Sequence, residues 1–357
     1  MEKENYPQPP PDRRLIKKPS QPILNQFKDD DYNNESINQI KLKHIEDLRN
    51  KIQTYQLLED KKMFLNFTSS SLSLNNINFV LFGPSGSGKS SLIRTLYKTL
   101  HNTKTLPKDF VNKLVIKDSF ENEGTLFFLR MILKHETETS AGIRICDTRG
   151  HLLMNKQEKE QFKLIVEGKV KDDVKVSQSK TRNPFLLWEF WREDEELFPK
   201  EILRNDLPTL SNIPHTVILV FDGSSDDIIN PEEVGFYRDL VSFCISKGYL
   251  NIHIILTRVD LLEQIIQKKY SSTKSQTEVQ NIIHSTKDTQ IEKVIDCLGV
   301  KRSNVHFIEN YLSENDSNNV EIDYHVLKAL QEMINSAEQY LLLYFNRSTS
   351  CFSKCMI

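Results

Sequence analysis

Residues 83–90 read Gly83-Pro84-Ser85-Gly86-Ser87-Gly88-Lys89-Ser90, and this G-x-x-x-x-G-K-[ST] string restricts the fold more than any other part of the chain. It functions only where a buried strand delivers it and a helix N-terminus follows it. Both neighbours are legible. The apolar run Ile77-Asn78-Phe79-Val80-Leu81-Phe82 precedes the string, and Ser91-Leu92-Ile93-Arg94-Thr95-Leu96-Tyr97 continues it with helical character. Glycines let successive backbone N–H groups turn inward around phosphate oxygens, and the helix dipole adds positive potential at the same point. The expected cradle is Gly83, Ser85, Gly86, Ser87 and Gly88 with the first helical residues Lys89, Ser90 and Ser91. Lys89 is expected to reach the β- and γ-phosphates of a nucleoside triphosphate, and the Ser90 hydroxyl to ligate Mg²⁺.

The 357 residues leave room for one large domain with appendages or for two modest domains. A formal net charge of −2 argues against general attraction to nucleic acid or to an anionic membrane. The cysteines (Cys146, Cys244, Cys297, Cys351 and Cys355) are scattered, which suits a reducing compartment better than a disulfide framework. There is no basic-then-apolar leader and no apolar run long enough to cross a bilayer, so a soluble cytoplasmic protein without a membrane span is expected. Prenylation is not expected, because Lys354 rather than a cysteine stands fourth from the end.

Residues 1–35 carry Pro7, Pro9, Pro10 and Pro11 without apolar periodicity and are read as a disordered tail. Residues 36–65 are read as an amphipathic helix. Ser36-Ile37-Asn38-Gln39 fits a capping box, and Ile45, Leu48, Ile52 and Tyr55 share one face through about Lys61. Residues 66–346 alternate strands and helices, with a polar insertion over 151–213 whose later part, 171–213, has no assignable structure; residues 347–357 are read as a flexible tail. Residues 102–124 read as a loop. Residues 125–133 and 143–146 form a hairpin across the polar turn 136–142, and 154–169 look helical. Buried strands follow at 217–221, 252–256 and 304–309. Helices open at Asn230-Pro231-Glu232-Glu233 and near Asp288, the latter stopping at Gly299. A last helix carries Val326, Leu330, Met333, Ile334, Ala337 and Leu341 on one face. The fold class implied is α/β: a mainly parallel sheet with one antiparallel edge strand and helices on both faces.

Ligands bind beyond the carboxyl ends of such strands, and further motifs fall there. Asp147-Thr148-Arg149-Gly150 ends the hairpin's second strand, where Asp147 can hold Mg²⁺ through a water and the Gly150 N–H can meet the γ-phosphate. Thr257-Arg258-Val259-Asp260 ends the strand 252–256. A carboxylate at Asp260 can accept two hydrogen bonds from guanine, which adenine cannot offer. Arg258 would cover the base face, and Thr257 would tie this loop to the phosphate loop. Thr125 stands where a switch threonine approaches Mg²⁺, with Thr137 and Thr139 at the opposite end of the sheet; Asn310-Tyr311 stands where a base-backing loop belongs.

Together these stretches resemble the Ras-like GTPase superfamily over residues 77–345. More closely, the chain resembles the interferon-induced protein 44-like family of P-loop G domains. The resemblance rests on Leu81–Ser91, Ile145–Gly150, 164–170, His215–Asp222, Leu256–Asp260 and 308–314. It implies GTP or GDP and Mg²⁺ as cofactors, with roles for Lys89, Ser90, Asp147 and Asp260. His151 follows D-x-x-G as in translational GTPases, and is read either as orienting an attacking water or as a solvent-facing loop residue. The functional expectation is a switch with slow GTP hydrolysis, completed by a regulatory protein or a homodimer. A GTP-binding scaffold without hydrolysis and an ATP-dependent P-loop kinase are the alternatives.

Overall fold

The strand β1 (Asn76–Phe82) is buried along its whole length and lies in the middle of the sheet. A strand buried on both faces is expected to be largely apolar, as Phe79-Val80-Leu81-Phe82 are, while the buried Asn78 earlier in the strand donates its side-chain amide to Ser211 O and Ile213 O. β3 (Gly142–Asp147) and β5 (Thr216–Asp222) flank it in parallel, with Phe79 opposite Ile145 and Val80 opposite Val217. β6 (His253–Thr257) and then β7 (Val305–Phe307) extend the sheet in parallel on one side. On the other side β2 (Phe127–Lys134) runs antiparallel to β3, and the two-residue β4 (Val174–Lys175) pairs antiparallel with β2. The order across the sheet is therefore β4-β2-β3-β1-β5-β6-β7. The computed structural model describes residues 34–59, 74–115, 127–148, 150, 154–175, 200–312 and 319–354.

Alternation along β1 assigns its side chains to two apolar layers. Ile77, Phe79 and Leu81 join one layer with Leu92, Ile93 and Leu96 of α2 (Lys89–His101) and with Val326, Leu330 and Met333 of α8 (Val320–Lys354). Val80 and Phe82 join the other, with Phe162 of α4 (Lys156–Val166), Tyr237 of α5 (Val234–Ser246) and Val294 of α7 (Gln276–Leu298). Each large side chain so removed from water contributes about 1.5–3 kcal/mol. α6 (Val259–Tyr270) packs on α7 through a separate small cluster of Leu262, Ile266, Val279 and Ile283. The chain divides into two compact units, Met1–Ile40 and Lys41–Ile357. Of the first, only residues 34–40 are described, as the opening of α1 (Asn34–Gln53). Within the second unit, Ile45 and Ile52 of α1 are buried in the layer beneath α2 and α8.

Several boundaries differ from the sequence reading, each for a local reason. α1 begins at Asn34, ahead of the Ser36 box, and ends at Gln53, where the chain turns so that Ala141 N donates to Tyr55 O. The supposed loop 102–124 contains α3 (Lys108–Val115), whose start is marked by Pro107 and by Asp109 in the first turn. Asn230 caps a turn, with its side chain accepting from Glu232 N, and the helix proper starts at Val234. α7 starts at a complete capping box of Ser275 and Glu278, well before Asp288, and stops at Gly299 with φ 69° as expected. α8 runs on to Lys354, so a helix occupies most of the stretch read as a flexible tail. The antiparallel strand is β2 but not the outermost, because β4 lies beyond it. Residues 1–33 lie outside the described residues, as do 176–199 with Trp188 and Trp191.

Candidate functional site

The phosphate loop is shaped by three glycines in the left-handed or positive-φ region: Gly83 (φ 151°), Gly86 (φ 77°) and Gly88 (φ 84°). A Cβ on Gly83 would fall 2.0 Å from Val220 O of the neighbouring strand, so no other residue fits there. Lys89, the first residue of α2, is buried, and its Nζ donates to Gly83 O (3.0 Å), Pro84 O (2.6 Å) and Ser87 Oγ (3.4 Å). The ammonium thus sits inside the curve of the loop. Ser85, Gly86, Ser87 and Gly88 complete that curve, and Ser91 lies half-buried in the first turn of α2.

At the carboxyl end of β3, Asp147 is fully buried and its Oδ2 accepts from Ser90 Oγ at 2.9 Å. Two hard oxygen donors, on a helix start and a strand end, stand side by side. That donor set fits Mg²⁺, which prefers one or two carboxylate or hydroxyl oxygens with the remainder from water and phosphate. Thr148, to which the sequence assigned no role, donates its hydroxyl to Leu81 O (2.6 Å) and fixes the end of β3 against β1. Gly150 touches the phosphate loop, since a Cβ there would lie 2.4 Å from Ser85 Cα. Thr125, His151 and Arg149 lie outside the described residues. Thr137 belongs to the turn between β2 and β3, where its N donates to Ser140 O.

The T-R-x-D loop is bound to the phosphate loop directly. Thr257, fully buried at the end of β6, donates its hydroxyl to Ser87 O (2.8 Å) and lies near Phe221 O (3.1 Å). Arg258 is left-handed (φ 59°) and reaches Gly86 O with Nη2 at 2.8 Å while Nη1 pairs with Asp222. Asp222 ends β5 and is itself fixed by Ser224, whose N and hydroxyl donate to its Oδ1. Sequence reasoning missed Asp222; its signal was position alone, an acid at a strand's carboxyl end. Asp260 lies half-buried in the first turn of α6, and among the described residues its carboxylate has no hydrogen-bond or ion-pair partner.

Asn310 is buried after β7, with Nδ2 3.4 Å from Gly88 O. Tyr311, read with Asn310 as part of a base-backing loop, turns its side chain inward. Its ring is buried, its N donates to Thr95 Oγ1 of α2 (2.9 Å) and its hydroxyl to Asp323 of α8 (2.9 Å). Burial pushes that phenol above its ordinary range. Tyr311 is thus a strut between the loop and two helices.

A strand–loop–helix of this sequence at the centre of a mainly parallel sheet, with an antiparallel strand on the β3 side, defines a P-loop α/β domain of the G-domain type. No protein-family model matches the chain, and no curated protein is similar to it in sequence. Among solved structures it is similar to the bacterial selenocysteine-specific elongation factor EF-Sec, at 13% identity and a TM-score of 0.35, over 74% of this chain and 29% of that one. It is similar to Toc33 from Arabidopsis thaliana in complex with GDP and Mg²⁺, at 10% identity and a TM-score of 0.37, over 81% of this chain and 96% of that one. It is similar also to the S. cerevisiae Ski7 GTPase-like domain bound to GTP, at 12% identity and a TM-score of 0.39, over 77% of this chain and 53% of that one. The chain therefore spans less than a third of the elongation factor and about half of the Ski7 chain.

Proposed function

We propose that this chain binds guanine nucleotide with Mg²⁺ and hydrolyses GTP slowly, acting as a molecular switch. The observation that carries this reading is the 2.8 Å hydrogen bond from Thr257 Oγ1 to Ser87 O. It joins the T-R-x-D loop to the phosphate loop, so that one ligand can span both. The half-buried, unengaged Asp260 carboxylate supports a preference for guanine, whose N1–H and amino group offer the two donors that adenine lacks. Lys89 would exchange its loop carbonyls for phosphate oxygens, and the amides of residues 85–91 would take the rest of that charge. Ser90 and Asp147 would hold Mg²⁺, which neutralises charge on the transferring phosphoryl group when bound. His151 is assigned to orienting the attacking water, and Thr125 to the switch. Residence in the cytoplasm, completion of the site by a regulatory protein or a second copy, and kinship with the interferon-induced protein 44-like family belong to the same proposal.

The test is calorimetric titration of the full chain with GTP, GDP and ATP in Mg²⁺ buffer, alongside Asp260→Asn. GTP is expected to bind at least about tenfold tighter than ATP, and the substitution to erase that preference. Equal affinities for the two purines in the unsubstituted chain would overturn the guanine reading. Single-turnover hydrolysis with a His151→Ala control addresses the catalytic part, which fails if the rate equals that of buffer.

A further inference from the structure

The loop that follows β7 is fastened by a polar network whose charged member comes from outside the sheet. Asp323, near the start of α8, is buried. Its Oδ1 accepts from Thr99 Oγ1 of α2 (2.8 Å) and from the Tyr311 hydroxyl (2.9 Å). Its Oδ2 pairs with Arg49 Nη2 of α1 at 3.3 Å. Arg49 Nε donates as well to Thr99 O at 3.0 Å, so the guanidinium bridges α2 and α8. The Tyr311 hydroxyl in turn accepts from Asn319 N (2.7 Å), and the Tyr311 N donates to Thr95 Oγ1. Lys98 Nζ lies over the Tyr311 ring at 5.7 Å. Next to it, Asn310 rests on Gly88 of the phosphate loop.

A buried carboxylate holding three donors keeps its geometry only while its charge is compensated. Taking away the cation leaves Asp323 with two neutral hydroxyls and favours protonation, rearrangement or water ingress, each of which loosens Tyr311. α1 does not depend on Arg49 for its own place, because Ile45 and Ile52 are buried in the apolar layer.

We propose that Arg49 is a positioning residue for the nucleotide site: through Asp323 and Tyr311 it sets the loop 310–312 against the purine, and makes base affinity depend on α1. The proposal rests on the guanine-nucleotide reading above. Any partner that draws α1 away from α2 and α8 would then loosen the base without touching the phosphates.

The test uses the full chain with GTP, GDP and inorganic tripolyphosphate, each with Mg²⁺, and the variants Arg49→Ala, Arg49→Lys, Thr99→Val and Lys41→Ala. Arg49→Ala is expected to weaken GTP and GDP about tenfold, a size ordinary for coupling between sites, with tripolyphosphate within about twofold of the parent chain. Arg49→Lys restores part of the loss, and Thr99→Val reproduces it. Lys41→Ala, which removes an exposed α1–α8 ion pair with Glu321, leaves all three ligands unchanged. Should Arg49→Ala fail to fold, Arg49→Lys and Thr99→Val decide the matter by the same ratio. Unaltered GTP affinity in the Arg49 and Thr99 variants overturns the proposal, and so does a proportional loss of GTP and tripolyphosphate. A parent chain that binds tripolyphosphate but no better with guanosine attached overturns the guanine reading instead.

Discussion

Lys89 illustrates how a buried charge is kept ready. Its ammonium is held by Gly83 O and Pro84 O, neutral acceptors that a phosphate can replace without any change in the backbone. Lys89→Met should abolish detectable triphosphate binding by calorimetry while the far-ultraviolet spectrum stays unchanged. Thr257 carries a different load, since its hydroxyl joins two loops rather than meeting ligand charge. Thr257→Val keeps the shape and leaves the Ser87 carbonyl unpaired, so GTP affinity should drop about tenfold, in line with the ~1–1.5 kcal/mol of a buried hydrogen bond. Histidines carry the acid sensitivity. His215 accepts from Asn78 N on Nδ1 and donates from Nε2 to Leu210 O, and burial lowers its pKa from 6.5 to about 4. His253 and His306, in contact with each other, are lowered by burial to about 3 and about 4. Each folded-state value lies below the unfolded one, so the unfolded chain binds more protons between them. The stability these histidines contribute by staying neutral is full above about pH 6.5 and is lost as pH falls toward 4, at up to ~1.4 kcal/mol per pH unit for each proton taken up on unfolding. Urea titrations from pH 7 to 4.5 should show this slope, with His215→Gln reducing proton uptake on unfolding by about one.

Elements buried on both faces were the most legible part of the sequence. β1, β3, β5 and β6 match their predominantly apolar runs to within a residue or two, because a short apolar-rich stretch between turn signals has few other homes. α3 and the first three turns of α7 were missed although their caps are written in Pro107-Lys108-Asp109 and Ser275-Gln276-Thr277-Glu278. α3 is only about two turns long and the opening of α7 is short on apolar residues, so neither builds a sustained period, and periodicity outweighed capping in reading them. Glycines, lysine and threonine of the site could be read because their chemistry is fixed by spacing along the chain. Asp222, Thr148 and the inward turn of Tyr311 could not, since each depends on which strand ends become neighbours. The α7 cap offers a clean control. Ser275→Ala should cost about 1 kcal/mol in urea unfolding and leave nucleotide affinity unaltered, because Ser275 and Glu278 lie on the exposed α6–α7 side.

At the scale of the molecule, ligand binding and folding are linked by mass action. Guanine nucleotide at a hundred times its dissociation constant should add about 2.7 kcal/mol to unfolding, raising the melting temperature by several degrees where ATP at equal concentration does not. Differential scanning calorimetry reads this directly. The position of each loop in the sheet has a further consequence. The phosphate cradle grows from β1, three strands in from either side, whereas the loop 310–312, proposed above to lie against the purine, follows β7, a margin of only three residues. Sheets fray from their margins inward. Mild warming should therefore loosen the hold on the nucleoside before it weakens the grip on phosphate, leaving a protein that keeps a triphosphate chain after letting go of its base.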